Sequence, residues 1–169
     1  MTTTEIPGLA SQYWQCTVPG LRHWGARGAA GVMPYMRTWA GRTWVAMALR
    51  SPWVQDGKTW AGFGGAIDAG ETAWQAATRE AREEAGLHLR DRGIVAKYRD
   101  YCPHGCGWSY TTYVVRVVPS RPRLPRLASS KRDRWETTTL AWVPAGQVKD
   151  RPLHPGFART VDRNLAAIR

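Results

Sequence analysis

One stretch, Gly65 to Leu87, reading GAIDAGETAWQAATREAREEAGL, constrains this chain more than any other. Thr72 followed three residues later by Gln75 is a capping box, which starts a helix by satisfying N–H groups that have no earlier turn to bond. Gly86 tolerates the left-handed backbone at a helix end. Between them lie mostly Ala, Glu and Arg, all good helix formers. The stretch therefore predicts a glycine-led loop that runs into a helix stopping at Gly86. Residues three and four apart share a helix face, so Glu80, Glu83 and Glu84 project together. Like charges at i,i+4 repel by ~0.2–0.5 kcal/mol even when solvated. A hard divalent cation turns that repulsion into coordination, and oxygen donors select Mg²⁺ or Mn²⁺. For Glu80 to Glu84 taken alone, the alternative is a solvated helix laced with ion pairs.

The neighbours add to the metal reading. Arg79 reaches Glu83 at i+4 and can hold its rotamer. Ala73, Ala76 and Ala77 are small enough to let the helix lie close to a sheet. The loop before it, Trp60 to Ala66 (WAGFGGA), has glycines that permit close backbone approach.

A chain of 169 residues holds one domain with a real core. No run of 18 apolar residues is present, so no membrane span is expected. The start, MTTTEIPGLASQ, lacks a basic and an apolar region, which gives a cytoplasmic expectation. The net charge of +11, mostly from Arg, suits phosphate partners, because guanidinium forks match phosphate geometry. Nucleotides suffice to explain it; nucleic acid is an alternative partner, helped slightly by the charge and the basic Pro119 to Arg134 stretch but not the favoured one. Arg abundance with no ligand at all is the plainer explanation for Arg outside a cleft. Nothing in the sequence sets an oligomeric state.

Residues 1–26 read as a polar, irregular extension that wraps the domain or moves freely, and 27–169 as the domain. Strands are expected at Ala29–Arg37, Trp44–Arg50, Ile94–Tyr101, Tyr110–Val118 and Leu140–Val143. Pro119 to Arg134 reads as a basic surface loop. Pro155 suits the first turn of a last helix, Gly156–Ile168. The order implies an α/β fold, a mixed sheet between helices.

The spacing from Gly65 through Glu71, Arg79-Glu80 and Glu83-Glu84 to Gly86-Leu87 fills G-x5-E-x7-R-E-U-x-E-E-x-G-U, where U is small or apolar. In this the chain resembles the Nudix hydrolases. Further segments, RHWGARGAAG (Arg22–Gly31), HGCGWSYTT (His104–Thr112) and LHPGF (Leu153–Phe157), are similar to a bacterial group related to the MutT-like enzymes. The resemblance implies an α/β/α sandwich and a Mg²⁺- or Mn²⁺-dependent pyrophosphohydrolase. Its substrate would be a nucleoside diphosphate linked to another group, foremost a nucleoside triphosphate, oxidised or not. Activity on RNA 5′ ends or ADP-ribose, or a non-catalytic nucleotide-binding module, are the alternatives. It also implies that the Gly65 carbonyl and Glu80, Glu83 and Glu84 hold metal, with Glu136 joining them ahead of the strand bearing Trp142. The general base stays open among Glu80, Glu83 and Glu136. One departure concerns loop shape: relatives commonly carry Leu-Pro where this chain has Gly62-Phe63.

Cys102-Pro103-His104-Gly105-Cys106 offers three zinc ligands at most, where a structural site needs four, and Cys16 is far off in sequence. The segment is therefore expected to be a turn at the cleft rim, with His104, Trp108 or Tyr110 touching the nucleotide. A Cys102–Cys106 disulfide is not expected. Of ten Trp residues most should be core, while Trp53, Trp60 and Trp108 are candidates for stacking on a base. Arg37 and Arg50 end the first two expected strands and could reach phosphates.

Overall fold

The computed structural model describes residues 12–118, 125–128 and 135–169. Most of the expected basic loop from Pro119 to Arg134 therefore lies outside the described residues. A seven-stranded sheet forms the body. Its order is β5 (Trp60–Ala61), β4 (Thr43–Arg50), β3 (Ala29–Arg37), β8 (Ser109–Arg116) and β7 (Ile94–Tyr101). In addition β6 (Phe63–Ala66) pairs with β3 and β9 (Thr137–Pro144) with β4. β3 and β8 run parallel and the remaining pairs antiparallel, so the sheet is mixed.

Period-2 alternation sorts the strand residues between two cores. Ala30, Val32, Ala46, Ala48, Tyr113 and Val115 meet α1 (Ala73–Ala85) on one face. Met33, Tyr35, Val45, Met47, Val114 and Val143 point the other way, toward Val148, α2 (Pro155–Ala158) and α3 (Val161–Ala166). This is the expected mixed sheet between helices. The buried face of α1 is Ala76, Ala77, Ala81 and Ala85, which brings its backbone down onto β3 and β6. Filling that face with larger side chains would cost roughly 1–3 kcal/mol by overpacking.

The capping box forms as expected: the Thr72 side chain accepts from Gln75 N, and the Gln75 side chain accepts from Thr72 N. Gly86 ends the helix at φ 67°. Two expectations are corrected. The last helix is two pieces, because Arg159 and Thr160 intervene, although Pro155 does open the first. The segment before residue 27 is not irregular throughout. β1 (Tyr13–Gln15) and β2 (Arg22–Trp24) form a two-stranded ribbon across a turn at Gly20, φ 78°. Tyr13 meets Trp24 edge-on across the pair, at 5.1 Å between centroids. No helix among the described residues is long and apolar enough to cross a membrane.

Candidate active site

Arg79 ties the helix to its loop. Its Nε and Nη2 donate to the two Glu71 oxygens at 2.8 and 3.0 Å, a bidentate pair. Nη2 also donates to the Ala66 carbonyl at 3.0 Å, and Nη1 to Glu80 Oε1 at 2.6 Å. The expected Arg79–Glu83 contact exists at 3.5 Å, but Glu71 is the main partner. Hydrogen bonding to Glu71 raises the Arg79 pKa, and the same bond from Arg79 lowers that of Glu71. Arg79 thus fixes Glu80, which lies so close over Gly65 that any Cβ there would collide with its carboxylate. This near approach is what the glycine permits.

Glu84, one turn on, is the stressed member of the group. Burial, then the charge of Glu80, push its pKa well up, with Glu136 adding to the rise. A hydrogen bond to the Gly64 backbone and the charge of Arg50 oppose the rise. Thus α1 supplies Glu80 and Glu84, the turn before β9 supplies Glu136, β4 supplies Arg50, and β6 supplies Gly64 and Gly65. β-Bulging between Leu49 and Arg50 marks where β4 leaves its register with β9, and Ser51 N bonds the Glu136 carbonyl at 2.7 Å. Arg50 itself donates to Gln55 O at 3.0 and 3.2 Å. Tyr110 reaches in from β8, with its hydroxyl over the paired glycines Gly31 and Gly64, where a Cβ would strike it. Burial, then Glu84 and Glu80, raise its pKa, so the hydroxyl stays protonated. Oxygen donors massed against like charge in a half-buried site suit a hard divalent cation.

Several expectations change. Trp60 is not at a rim: it is 8% exposed in the core that faces α2 and α3, with Arg151 over its ring at 5.3 Å. It fills space and leaves no face for a base. Trp108 is also engaged. It stacks on His23 at 4.6 Å and donates through Nε1 to the carbonyls of Trp24 and Gly25. His104 is exposed on the same turn, and its carbonyl accepts from Thr17. The segment is therefore the seat of the β1–β2 ribbon. Arg37 bonds the Ile168 carbonyl at 3.0 Å, at the other end of the sheet from Arg50. Trp53, at 86% exposed, stays available on the loop after Arg50.

The sequence reading missed the roles of four residues. Glu71 is the anchor of Arg79. His154 feels the charge of Arg50 and has Nε2 3.4 Å from Asp56, while burial lowers its pKa. Asp56 holds φ 52° on the same loop as Trp53. Trp135, 60% exposed, precedes Glu136. The LHPGF segment was the signal for His154 and the motif spacing that for Glu71, while Asp56 and Trp135 had none.

The NUDIX domain family model matches residues 27–164. The chain is 35% identical over 153 residues to a Mycobacterium tuberculosis protein named "Putative 8-oxo-dGTP diphosphatase 3", spanning 89% of this chain and 67% of that protein. It is 34% identical over 163 residues to a Bifidobacterium longum "Nucleoside triphosphate pyrophosphatase/Nudix hydrolase fusion protein", spanning 91% of this chain and 32% of the fusion. The crystal structure of a Nudix hydrolase from M. smegmatis, RenU, superposes with a TM-score of 0.70 at 33% identity, covering 89% and 90% of the two chains.

Proposed function

The chain belongs to the NUDIX domain family and is a hydrolase of phosphoanhydrides, and from that premise we propose that its substrate is a nucleoside triphosphate, oxidised guanine forms included. Water cuts it to the monophosphate and pyrophosphate. The approach of Glu80 to Gly65 and of Glu84 to Gly64, with the charges of Glu136 and Arg50 acting on Glu84, carries this reading. Residues 27–169 form the working unit, and those before them an extension.

Glu80, Glu83, Glu84, Glu136 and the Gly65 carbonyl would hold Mg²⁺ or Mn²⁺ in this reading. A bound divalent cation neutralises the diphosphate and makes a water more acidic. The rest falls to the chain. Arg79 keeps Glu80 in one rotamer, so that the donors are set before the substrate arrives. A carboxylate among Glu80, Glu83 and Glu136 takes the proton of the attacking water. Arg50 meets the phosphates, and Tyr110 offers its hydroxyl as a donor at the glycine pair. Trp53, exposed on the loop after Arg50, is the candidate to stack on the base, and exposed Trp135 beside Glu136 is a second. The names of the mycobacterial and bifidobacterial relatives support a triphosphate substrate.

The test is kcat/KM with Mg²⁺ across dNTPs, 8-oxo-dGTP, ADP-ribose, dinucleoside polyphosphates and 5′-triphosphate RNA. A triphosphate should lead. If ADP-ribose or RNA ends outrun every triphosphate, the substrate assignment is wrong while the hydrolase chemistry stands.

A further inference from the structure

The β1–β2 ribbon meets the β7–β8 turn at a second cluster, remote in composition from the carboxylates. Cys16, His23, Cys102 and Cys106 each present a ligand atom, and these four atoms lie within 4.8 Å of one another. They come from two separate stretches: Cys16 and His23 flank the ribbon's turn, while Cys102 and Cys106 bracket the turn between β7 and β8. We propose that they form a structural zinc site of the Cys₃His type, which fastens the ribbon to the Nudix domain.

Geometry carries the argument. The Cys16 and Cys102 sulfurs are 3.7 Å apart. That is far beyond the ~2.05 Å of a disulfide. It matches the edge of a tetrahedron with Zn–S bonds of about 2.3 Å, which is roughly 3.8 Å. The wider separations need to close by only about 1 Å to reach that edge. Cys102 is buried and the other three half-buried, as expected for a closed site without a bound water. A second observation is independent of these distances. Among the described residues Nε2 of His23 is buried and makes no hydrogen bond, an unfavourable burial unless something binds it. The shell around the cluster is also built. The backbone N–H groups of Val18 and Trp108 donate to the sulfurs of Cys16 and Cys106, each two residues on, which suits thiolates. Trp108 stacks on the His23 ring and fixes its plane. Trp14 Nε1 donates to the Cys106 carbonyl at 2.8 Å, and Thr17 to that of His104 at 2.9 Å.

A two-stranded ribbon is marginal by itself. Zinc would supply the missing free energy, as each thiol gives up its proton to solvent and the thiolate binds the metal. The ribbon leads directly into Gly25 and Gly28, which lie against Ala66 and Ile67 beside the catalytic loop. The site therefore anchors the wall of the active site, and its role does not depend on which nucleotide is cleaved.

The full chain, purified under reducing conditions, should contain about one zinc by mass spectrometry of the metal. Cys102→Ser and His23→Ala should lose it, whereas Glu84→Gln should keep it. Because those variants can fail to fold, the wild-type chain is also stripped and titrated with Co²⁺. A tetrahedral cobalt–thiolate spectrum, abolished by Zn²⁺, is expected. Chelation should also open the ribbon to trypsin at Arg22. Reduced protein that takes up neither Zn²⁺ nor Co²⁺ would overturn the proposal. So would zinc retained by folded Cys102→Ser, or a disulfide among these cysteines in freshly purified protein.

Discussion

Glu84→Gln should move catalysis and stability in opposite directions. The substitution keeps the shape of the side chain and removes its charge. Glu84 is half-buried, and burial and the charges of Glu80 and Glu136 disfavour its carboxylate by more than the Gly64 hydrogen bond and the charge of Arg50 restore. In metal-free protein that charge opposes folding. Its pKa is raised in the folded state, so the folded state binds more protons than the unfolded one as pH climbs through the carboxylate range. Stability is then lost between the ordinary carboxylate value and the raised one, and the full penalty stands above both. Gln relieves it by about 0.5–2 kcal/mol, the range typical of a successful stabilising substitution. For a domain of this size each kcal/mol is worth roughly 2–4 °C, so Tm in EDTA should rise by roughly 1–8 °C. The gain should shrink toward zero below the carboxylate range, where Glu84 is protonated in both states. With Mg²⁺ present, kcat should fall at least about a hundredfold, equal to ~2.7 kcal/mol of lost transition-state stabilisation. Thermal melts in EDTA at several pH values and steady-state kinetics with Mg²⁺ read the two effects. A variant less stable than wild type in EDTA would refute the electrostatic reasoning. Near-normal turnover would make the cluster a solvated face.

Other outcomes follow from the same geometry. Excess EDTA should abolish hydrolysis and Mg²⁺ or Mn²⁺ restore it, measured by pyrophosphate release. Arg79→Lys should lower both Tm and kcat, because a single ammonium cannot span both Glu71 oxygens and also reach Ala66 and Glu80; an unchanged kcat in a melted-down variant would show that Glu80 needs no positioning. Acid should cost stability through Glu71: its pKa is lowered by Arg79, so its contribution is complete above the ordinary carboxylate value and lost as pH falls through the lowered one, and Glu71→Gln should flatten that acid limb in thermal melts. Trp53→Ala should raise KM with kcat kept, since stacking binds ground and transition states alike, whereas Trp108→Ala should lower Tm first.

What was legible in the sequence was local. The capping box, the Gly86 stop and the i+4 spacing of Glu80 and Glu84 lie within one helix and its loop, where chain geometry leaves little freedom. The strands expected at Ala29–Arg37, Trp44–Arg50 and Ile94–Tyr101 form close to those limits, whereas that expected at Leu140–Val143 runs Thr137–Pro144 and the expected loop Trp60 to Ala66 carries β5 and β6, because both pair with neighbouring strands. The C-terminal helix was misjudged because a good first turn at Pro155 says nothing about where the run breaks, and Thr160 restarts it at ψ −9° with no side-chain cap.

The remainder depended on which chain segments meet, and spacing within a segment cannot show that. Trp60 looked like a rim residue because glycines follow it. Its place was decided instead by the Pro152 and His154 backbone, which bonds it on both sides and draws the ring into the second core. Glu71 could be seen as a fixed position but not as the partner of Arg79, since the loop must fold back eight residues for the pair to form. The cysteines show the same limit most sharply. Cys102 and Cys106 offered an incomplete set of ligands, and His104, the obvious third, is exposed and outside the cluster. The set is filled by Cys16 and His23, 86 residues from Cys102 in the first case. They had looked like part of an irregular leader. A short ribbon with two exposed Trp side chains has little core of its own, so its fold is explained only by what holds it to the β7–β8 turn.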